Sequence, residues 1–200
     1  MRVGAPVPEN RRSGAGAPLV VLLPGESPAT PPAAELRRAA RRLGRQPWIA
    51  VLAGTVPPAH LELALSATMI VAARRARLAA PAGRPPLLAG TGWRLARRLG
   101  SGGALAFWSS ARPWSATRAA RHGLLDLLAD DPVTRAGEVR TLLARQPEVA
   151  GWLHALSRNG SALGERAGLA LERAFFALAF TRDAAREGAR AFLDPSRRGR

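Results

Sequence analysis

Three short apolar runs constrain the fold of this sequence more than any other feature. They occupy residues 18–23, 48–53 and 68–73, contain no charged side chain, and are followed by proline, glycine or arginine. Continuous apolarity over so few residues is typical of a strand that is buried on both faces of a parallel sheet. The sequence therefore predicts an α/β fold whose strands lie side by side in one sheet.

Helical patterns connect these runs. Residues 33–43 place four apolar side chains on one side of a helix and four arginines on the other, and Gly44 follows as its end. The apolar set is Leu36, Ala39, Ala40 and Leu43, and the basic set is Arg37, Arg38, Arg41 and Arg42. We expect a turn at residues 54–57 and a short helix at residues 58–65, which begins with a proline. The alternation of strand and helix predicts crossover helices on the sheet.

The rest of the chain is predicted to be largely helical from Thr91 onward. Ser115 is a candidate N-cap of a helix that ends near Gly123, and residues 124–128 fit either a strand or a loop. Further helices are predicted at residues 133–145, 148–158 and 161–180. The sequence thus indicates a flexible tail at residues 1–17, an α/β core at residues 18–132 and a C-terminal helical region at residues 133–200.

The charge balance raises the question of a polyanionic partner. The chain has 30 basic and 14 acidic residues, a formal charge of +16, and such an excess is typical of nucleic-acid binders. Every basic residue is arginine and tyrosine is absent, which indicates the codon bias of a GC-rich gene. The arginines are also dispersed along the chain instead of forming one stripe interleaved with aromatics. Nucleic-acid binding is therefore a disfavoured hypothesis.

Several kinds of site and location are disfavoured by what the sequence lacks. It has no cysteine, which excludes disulfides and thiolate chemistry. His60, His122 and His154 have no ligand-like spacing, so a metal site is not expected. No apolar run has the length of a signal peptide core or a membrane span. We expect a cytoplasmic protein.

Four ordered segments resemble the crotonase (enoyl-CoA hydratase/isomerase) superfamily over roughly residues 47–198. The first two are QPWIAVLAGTVPPAHLELALSATMIVAARRARLAAP and GTGWRLARRLG; the last two are SARPWSATRAARHGLLDLL and ERAFFALAFTRDAAREGARAFLDPSRR. Any one of these segments alone is weak evidence of kinship. Their occurrence in the family's order makes coincidence improbable.

The resemblance implies a fold, a substrate class and an assembly. The fold would be a spiral of strand-strand-helix units with a C-terminal helical region that mediates oligomerisation. The substrate would be an acyl-CoA thioester, the reaction would pass through its enolate, and no cofactor or metal would be required. Trimers that pair into hexamers are expected, and an apolar face with Leu171, Phe175 and Leu178 on the last helix is consistent with assembly.

The resemblance also places the catalytic groups. Glu62 falls on the first of the family's two catalytic glutamates, whereas the second corresponds to Ala82 of the pair Pro81 and Ala82, whose methyl group cannot carry a proton. Glu62 is equally well explained as a solvated carboxylate or as the ion-pair partner of an arginine. The sequence alone leaves that choice open.

The other site residues are placed in the same way. The family's second oxyanion donor corresponds to Pro58, Ala59 and His60, of which Pro58 has no N–H. The loop of the first donor is missing, and Gly25, Glu26 and Ser27 occupy the equivalent strand exit. The candidate acyl pocket is formed by Gly90, Thr91, Gly92 and Trp93. The candidate CoA-binding residues are Arg74, Arg75, Arg197 and Arg198.

Three functions follow as hypotheses. The first is an enoyl-CoA hydratase or isomerase, hence a lyase or an isomerase, with Glu62 as its single carboxylate. The second is a catalytically weak auxiliary subunit that assists a partner enzyme, such as a polyketide enzyme in a secondary-metabolism pathway that resembles the one through dihydroxyphenylacetyl-CoA. The third is an arginine-rich nucleic-acid binder, which should lose affinity steeply with added salt.

Overall fold

A computed structural model describes residues 18–23, 33–80 and 91–159, together with scattered positions between 167 and 190. Its strands are β1 (Leu19–Leu23), β2 (Trp48–Leu52), β3 (Thr55–Val56), β4 (Met69–Ala73), β5 (Arg77–Leu78), β6 (Trp114–Ser115) and β7 (Leu127–Ala129). Its helices are α1 (Ala33–Leu43), α2 (Pro58–Ala64), α3 (Thr91–Trp108), α4 (Ala116–Arg121), α5 (Pro132–Ala144) and α6 (Pro147–Asn159). The predicted tail at residues 1–17 and most of the predicted helix at residues 161–180 lie outside this description.

The three apolar runs form neighbouring strands of one parallel sheet. The strand order is β1-β2-β4-β7, and Ala50 of β2 lies opposite both Val21 of β1 and Ile70 of β4. The undecided segment after Gly123 continues into a strand, because β7 pairs in parallel with β4. The predicted α/β sheet with crossover helices is therefore confirmed.

Two details differ from the sequence-based expectations. Leu22 of β1 is 41% exposed, so the first apolar run is not buried on both faces. Among the described strands, β1 lies at an edge of its sheet. The predicted turn at residues 54–57 is wrong, since β3 pairs in parallel with β5, and β5 pairs antiparallel with β6. These strands have two residues each, which is too short for any periodic pattern.

The two sheets share one repeating unit of strand, strand and helix. β2, β3 and α2 form one such unit, and β4, β5 and α3 form the next. The units stack because β2 pairs with β4 while β3 pairs with β5. Each of these two units thus adds one strand to each sheet. The helix α2, which carries Glu62, therefore follows two strands that are each held by a strand of the next unit: β2 by β4 and β3 by β5.

Side chains of β2 divide between two cores. Trp48, Ala50 and Leu52 pack with residues of α2 such as Leu61 in the larger cluster. Ile49 and Val51 pack on the opposite face, where Ala136 and Val139 of α5 complete a smaller cluster. Successive side chains of a strand point to opposite faces, so a wholly apolar strand requires cover on both.

Local signals fix the helix ends. Gly44 donates its N–H to the Ala40 carbonyl at 3.0 Å at the end of α1, and the Ser115 side chain accepts the N–H of Arg118 as the predicted cap of α4. Asp131 caps α5, and the hydrogen bonds it accepts, led by that of the Thr134 hydroxyl, lower the pKa of its carboxyl. Gly100 interrupts α3 with a φ of +71°, a conformation that favours glycine.

The chain divides into two compact units, residues 1–150 and 151–200. α5 packs against β1, β2 and β4 within the first unit. The boundary that the sequence indicates between residues 132 and 133 stays a prediction. Among the described residues, no helix is both long and apolar enough to cross a membrane.

Asp126 ties α3 to the sheet. Its carboxylate accepts the N–H of Ile70 in β4 at 2.7 Å and both oxygens accept from Nη1 of Arg98 in α3 at 3.1 Å. The Asp126 N–H in turn donates to the Ile70 carbonyl at 3.0 Å. One side chain therefore holds the segment before β7 against β4 and α3 together.

We expect Asp126→Ala to lower the free energy of unfolding by about 1–3 kcal/mol, because it leaves a part-buried N–H and a guanidinium without their acceptor. Asp130→Ala is the matched control, since Asp130 is 91% exposed and lies 3.6 Å from Nε of Arg74. Loss of that exposed pair should cost about 0–1 kcal/mol. Denaturant titration measures both, and equal losses would contradict the role assigned to Asp126.

Candidate functional site

The helix α2 begins immediately after β3 and presents the candidate catalytic residues. Pro57 is its N-cap in an extended conformation and Pro58 is its first residue, and both prolines favour a helix start here because their φ is preset. Ala59, Leu61 and Ala64 are buried beneath the helix. Ala59 and Glu62 are three residues apart, so they lie on the same side of α2.

One carboxylate oxygen of Glu62 is buried, and none of the residues that the structure describes forms a hydrogen bond with it. Among the described residues, no donor reaches Oε1, and the ion pairs found there involve other carboxylates. A buried acceptor without a partner costs about 1–3 kcal/mol, so it calls for a specific explanation. No arginine reaches this oxygen among the described residues, and whether Glu62 acts in catalysis stays a prediction.

The first turn of α2 offers one backbone donor. The His60 N–H donates to the Pro57 carbonyl at 3.0 Å, and the Leu61 N–H donates to the same oxygen at 3.1 Å. Pro58 has no N–H. No side chain caps the helix, so Ala59 keeps a first-turn N–H without a side-chain acceptor. Ala59 is buried, with 6% of its surface exposed.

The start of α3 carries the candidate acyl-pocket residues, which lie in different environments. Thr91 is 6% exposed, and its Oγ1 has no hydrogen-bond partner among the described residues. Trp93 is 55% exposed, with the Arg97 guanidinium 4.7 Å from its ring centroid. Gly92 is half-buried, and Gly90 lies outside the described residues. The unpartnered hydroxyl of Thr91 is a feature that sequence reasoning had no means of finding.

The candidate CoA-binding arginines that the structure describes lie after β4. Arg74 and Arg75 are both exposed. The Arg74 N–H donates to the Ala129 carbonyl at 3.0 Å and its Nε lies 3.6 Å from Asp130. An ion pair as exposed as this one is weak, so it leaves the Arg74 guanidinium available to a phosphate.

Several predicted site positions lie outside the described residues. They are Gly25, Glu26, Ser27, Pro81, Ala82, Arg197 and Arg198. In the part of the chain that is described, no group of three acidic or histidine side chains could hold a metal ion.

A family model for enoyl-CoA hydratase/isomerase matches residues 32–198. This match covers most of the sequence, so the chain belongs to the enoyl-CoA hydratase/isomerase family. The resemblance drawn from the four ordered segments is thereby confirmed.

Individual relatives agree with the family match. The chain is 32% identical over 157 residues to a Mycobacterium leprae protein named "Probable enoyl-CoA hydratase echA8" and 31% identical over 156 residues to one of Bacillus subtilis named "Probable enoyl-CoA hydratase". These matches cover 75% and 74% of this chain. The chain spans about 60% of the length of both relatives.

Solved structures share the fold. The enoyl-CoA hydratase of Bacillus anthracis is 24% identical with a TM-score of 0.67, and the match covers 80% of this chain and 65% of that one. An enoyl-CoA hydratase/isomerase of Cupriavidus metallidurans is 26% identical with a TM-score of 0.67, covering 88% of this chain and 76% of that one. The expected crotonase-like spiral is therefore confirmed.

We expect Glu62→Met to raise the free energy of unfolding by about 1 kcal/mol, because it replaces an unpartnered buried oxygen with an apolar chain of similar length. Glu138→Met is the matched control. Glu138 is 54% exposed and pairs with Arg135 at 2.7 Å on the surface of α5, so its loss should change stability by about 0.5 kcal/mol or less. Denaturant titration that finds Glu62→Met destabilised would contradict the proposed environment of Oε1.

Proposed function

We propose that this protein binds an acyl-CoA thioester and carries out chemistry of the enoyl-CoA hydratase/isomerase type, through a thioester enolate, with Glu62 as its single carboxylate. The buried Oε1 of Glu62, which has no hydrogen-bond partner within the described ranges, supports the proposal most directly. Membership in the enoyl-CoA hydratase/isomerase family supports it independently. Cytoplasmic location remains a prediction.

A single carboxylate can move the proton in both isomerisation and hydration. In isomerisation, Glu62 would take a proton from C2 of a 3-enoyl thioester, the double bond would shift into conjugation, and the same carboxylic acid would return the proton to C4. In hydration, Glu62 would deprotonate water, whose oxygen adds to C3 of a 2-enoyl thioester, and the proton would then go to C2. Both routes balance with one acid/base group, but hydration also requires that water be held in place.

The enolate oxygen needs a backbone donor. We assign that role to the Ala59 N–H, because the His60 N–H already donates to the Pro57 carbonyl. His60 then stays a secondary candidate that would have to exchange this bond for the substrate. A fixed donor of this kind typically contributes about 10²–10³ in rate. Thr91, Gly92 and Trp93 at the start of α3 are proposed to border the acyl group.

The second candidate function is the auxiliary subunit that assists a partner enzyme, such as one of a polyketide pathway. Ala82 in place of the second catalytic glutamate and Pro58 in place of a backbone donor favour it. In this case the thioester pocket would persist while turnover is weak. The two functions differ in one observable, which is whether the isolated protein turns over substrate.

We expect very low hydration of crotonyl-CoA by the isolated protein, because one acid/base group is replaced by Ala82 and each such loss typically costs about 10²-fold or more. The residual rate should depend on Glu62 and fall by about 10²-fold in Glu62→Gln. A spectrophotometric hydration assay and a 3-enoyl to 2-enoyl isomerisation assay measure both reactions.

Glu138→Gln serves as the control, since it alters an exposed carboxylate far along the chain on α5. Ala82→Glu should raise the hydration rate if the second carboxylate is what limits it. Robust turnover that survives Glu62→Gln would contradict the site. Acceleration of a partner enzyme by a protein that shows no turnover would favour the auxiliary function.

We expect calorimetry to detect binding of crotonyl-CoA, with affinity lowered several-fold in Arg74→Gln and Arg75→Gln because each guanidinium is an exposed donor for a phosphate. Arg197→Gln and Arg198→Gln test the other two candidate arginines. Arg112→Gln, in the exposed segment before β6, is the control. An absence of binding at millimolar ligand would contradict the proposed substrate class.

We also expect the protein to assemble into trimers, or hexamers of paired trimers, as the family resemblance implies. Leu178, which is 47% exposed, would be covered in such an assembly. Multi-angle light scattering tests the expectation, and Leu178→Glu should shift the distribution toward monomer. A monomer at every concentration would contradict it.

A further inference from the structure

The exposed side of α1 carries a stripe of arginines. Arg38, Arg41 and Arg42 are spaced by three and four residues, so they lie on one side of the helix, and all three are exposed. Leu36 and Ala40 are buried on the other side, with 6% and 4% of their surface exposed. The stripe is therefore held outward by the packing of α1.

These arginines have no acidic partner among the described residues. Glu35 is the acidic residue of the first turn of α1, and the ion pairs with Asp130, Asp126 and Glu138 are formed by other arginines, namely Arg74, Arg98 and Arg135. Like charges at these spacings repel and destabilise a helix. An anionic partner would remove that repulsion.

The stripe lies close to the helix that carries Glu62. α1 packs against α2 within the first compact unit, and packed helices have axes about 8–10 Å apart. A partner seated on the outer side of α1 would therefore stand about one helix diameter from α2. This is within reach of a flexible arm that carries a thioester.

We propose that the stripe of Arg38, Arg41 and Arg42 docks an acidic carrier protein that presents the acyl group as a thioester on its phosphopantetheine arm. The inference rests on the proposed function, because this arm ends in the same thioester chemistry as CoA. The three arginines span about 6 Å along the axis of α1. This spacing matches that of carboxylates on adjacent turns of an acidic helix, to which guanidinium groups can donate hydrogen bonds. The net charge of +16 would draw such a carrier to the protein.

Two other anionic partners fit less well. An interfacial membrane helix pairs its basic side with exposed large apolar residues, and the exposed positions of α1 are Ala34, Glu35 and arginines. Single-stranded nucleic acid is bound by basic grooves with aromatic platforms, and α1 has no aromatic residue. The stripe is also too short to follow the phosphate backbone of a nucleic acid over many nucleotides.

The test compares a triple variant, Arg38→Gln with Arg41→Gln and Arg42→Gln, against a control triple at Arg112, Arg121 and Arg145, also to Gln. The control residues are exposed on other segments and remove the same charge. Circular dichroism verifies that both variants fold, which is expected because glutamine has a helix propensity close to that of arginine. Binding is measured by calorimetry with crotonyl-CoA and with a panel of acidic holo-acyl carrier proteins that carry a crotonyl group.

We expect the carrier affinity to fall about tenfold in the α1 variant and to change little in the control. Binding of crotonyl-CoA should be unchanged in both variants. Equal weakening by the two triples would overturn the proposal, since it would show a general charge effect. Tighter binding of duplex DNA or of anionic lipid vesicles through the same three arginines would overturn it as well.

The failure of this inference is distinguishable from that of the proposed function. If crotonyl-CoA binds and no crotonyl carrier does, the docking surface is wrong and the proposed function stands. If neither ligand binds, the thioester site itself is wrong and both proposals fail.

Discussion

The complete burial of β2 is the constraint on which the rest of the structure depends. Each of its five residues is buried, from Trp48 to Leu52, with at most 1% of its surface exposed. A strand this apolar is stable only when neighbouring strands satisfy its backbone and other elements cover both of its faces. β1 and β4 provide the pairing, α2 contributes to the cover on one face, and α5 contributes to the cover on the other.

This arrangement positions the candidate site. β2 leads through β3 into α2 with few intervening residues, so the register of the sheet fixes where α2 begins. The face of α2 that packs on the core is formed by Ala59, Leu61 and Ala64. Glu62 lies next to that buried face, which is why one of its oxygens is removed from water. The candidate site is thus carried by a helix that packs directly on the most deeply buried strand.

Oε1 of Glu62 and Oγ1 of Thr91 are buried polar atoms for which the described residues provide no hydrogen-bond partner. Proteins satisfy most buried polar atoms, and each exception calls for an explanation such as a catalytic role, strain or a bound water or ion. Nε1 of Trp114 is a third such atom in the described part of the chain. Glu62 and Thr91 belong to segments that resemble parts of the family's site. The two therefore carry more functional information than the dispersed arginines, most of which are explained by composition.

The sequence by itself determined the parallel strands, the crossover helices α1 and α2 and the caps at Gly44 and Ser115, because these depend on local patterns of apolarity and backbone preference. The ordered segments also identified the family and pointed to Glu62. Tertiary structure alone decided that β3, β5 and β6 form a second sheet, since strands of two residues exist through pairing with distant segments. It also decided that Asp126 joins β4 to α3, that the His60 N–H donates to the Pro57 carbonyl, and that no described residue hydrogen-bonds to Oε1 of Glu62. Each of these depends on which groups meet in space, and a linear pattern does not contain that information.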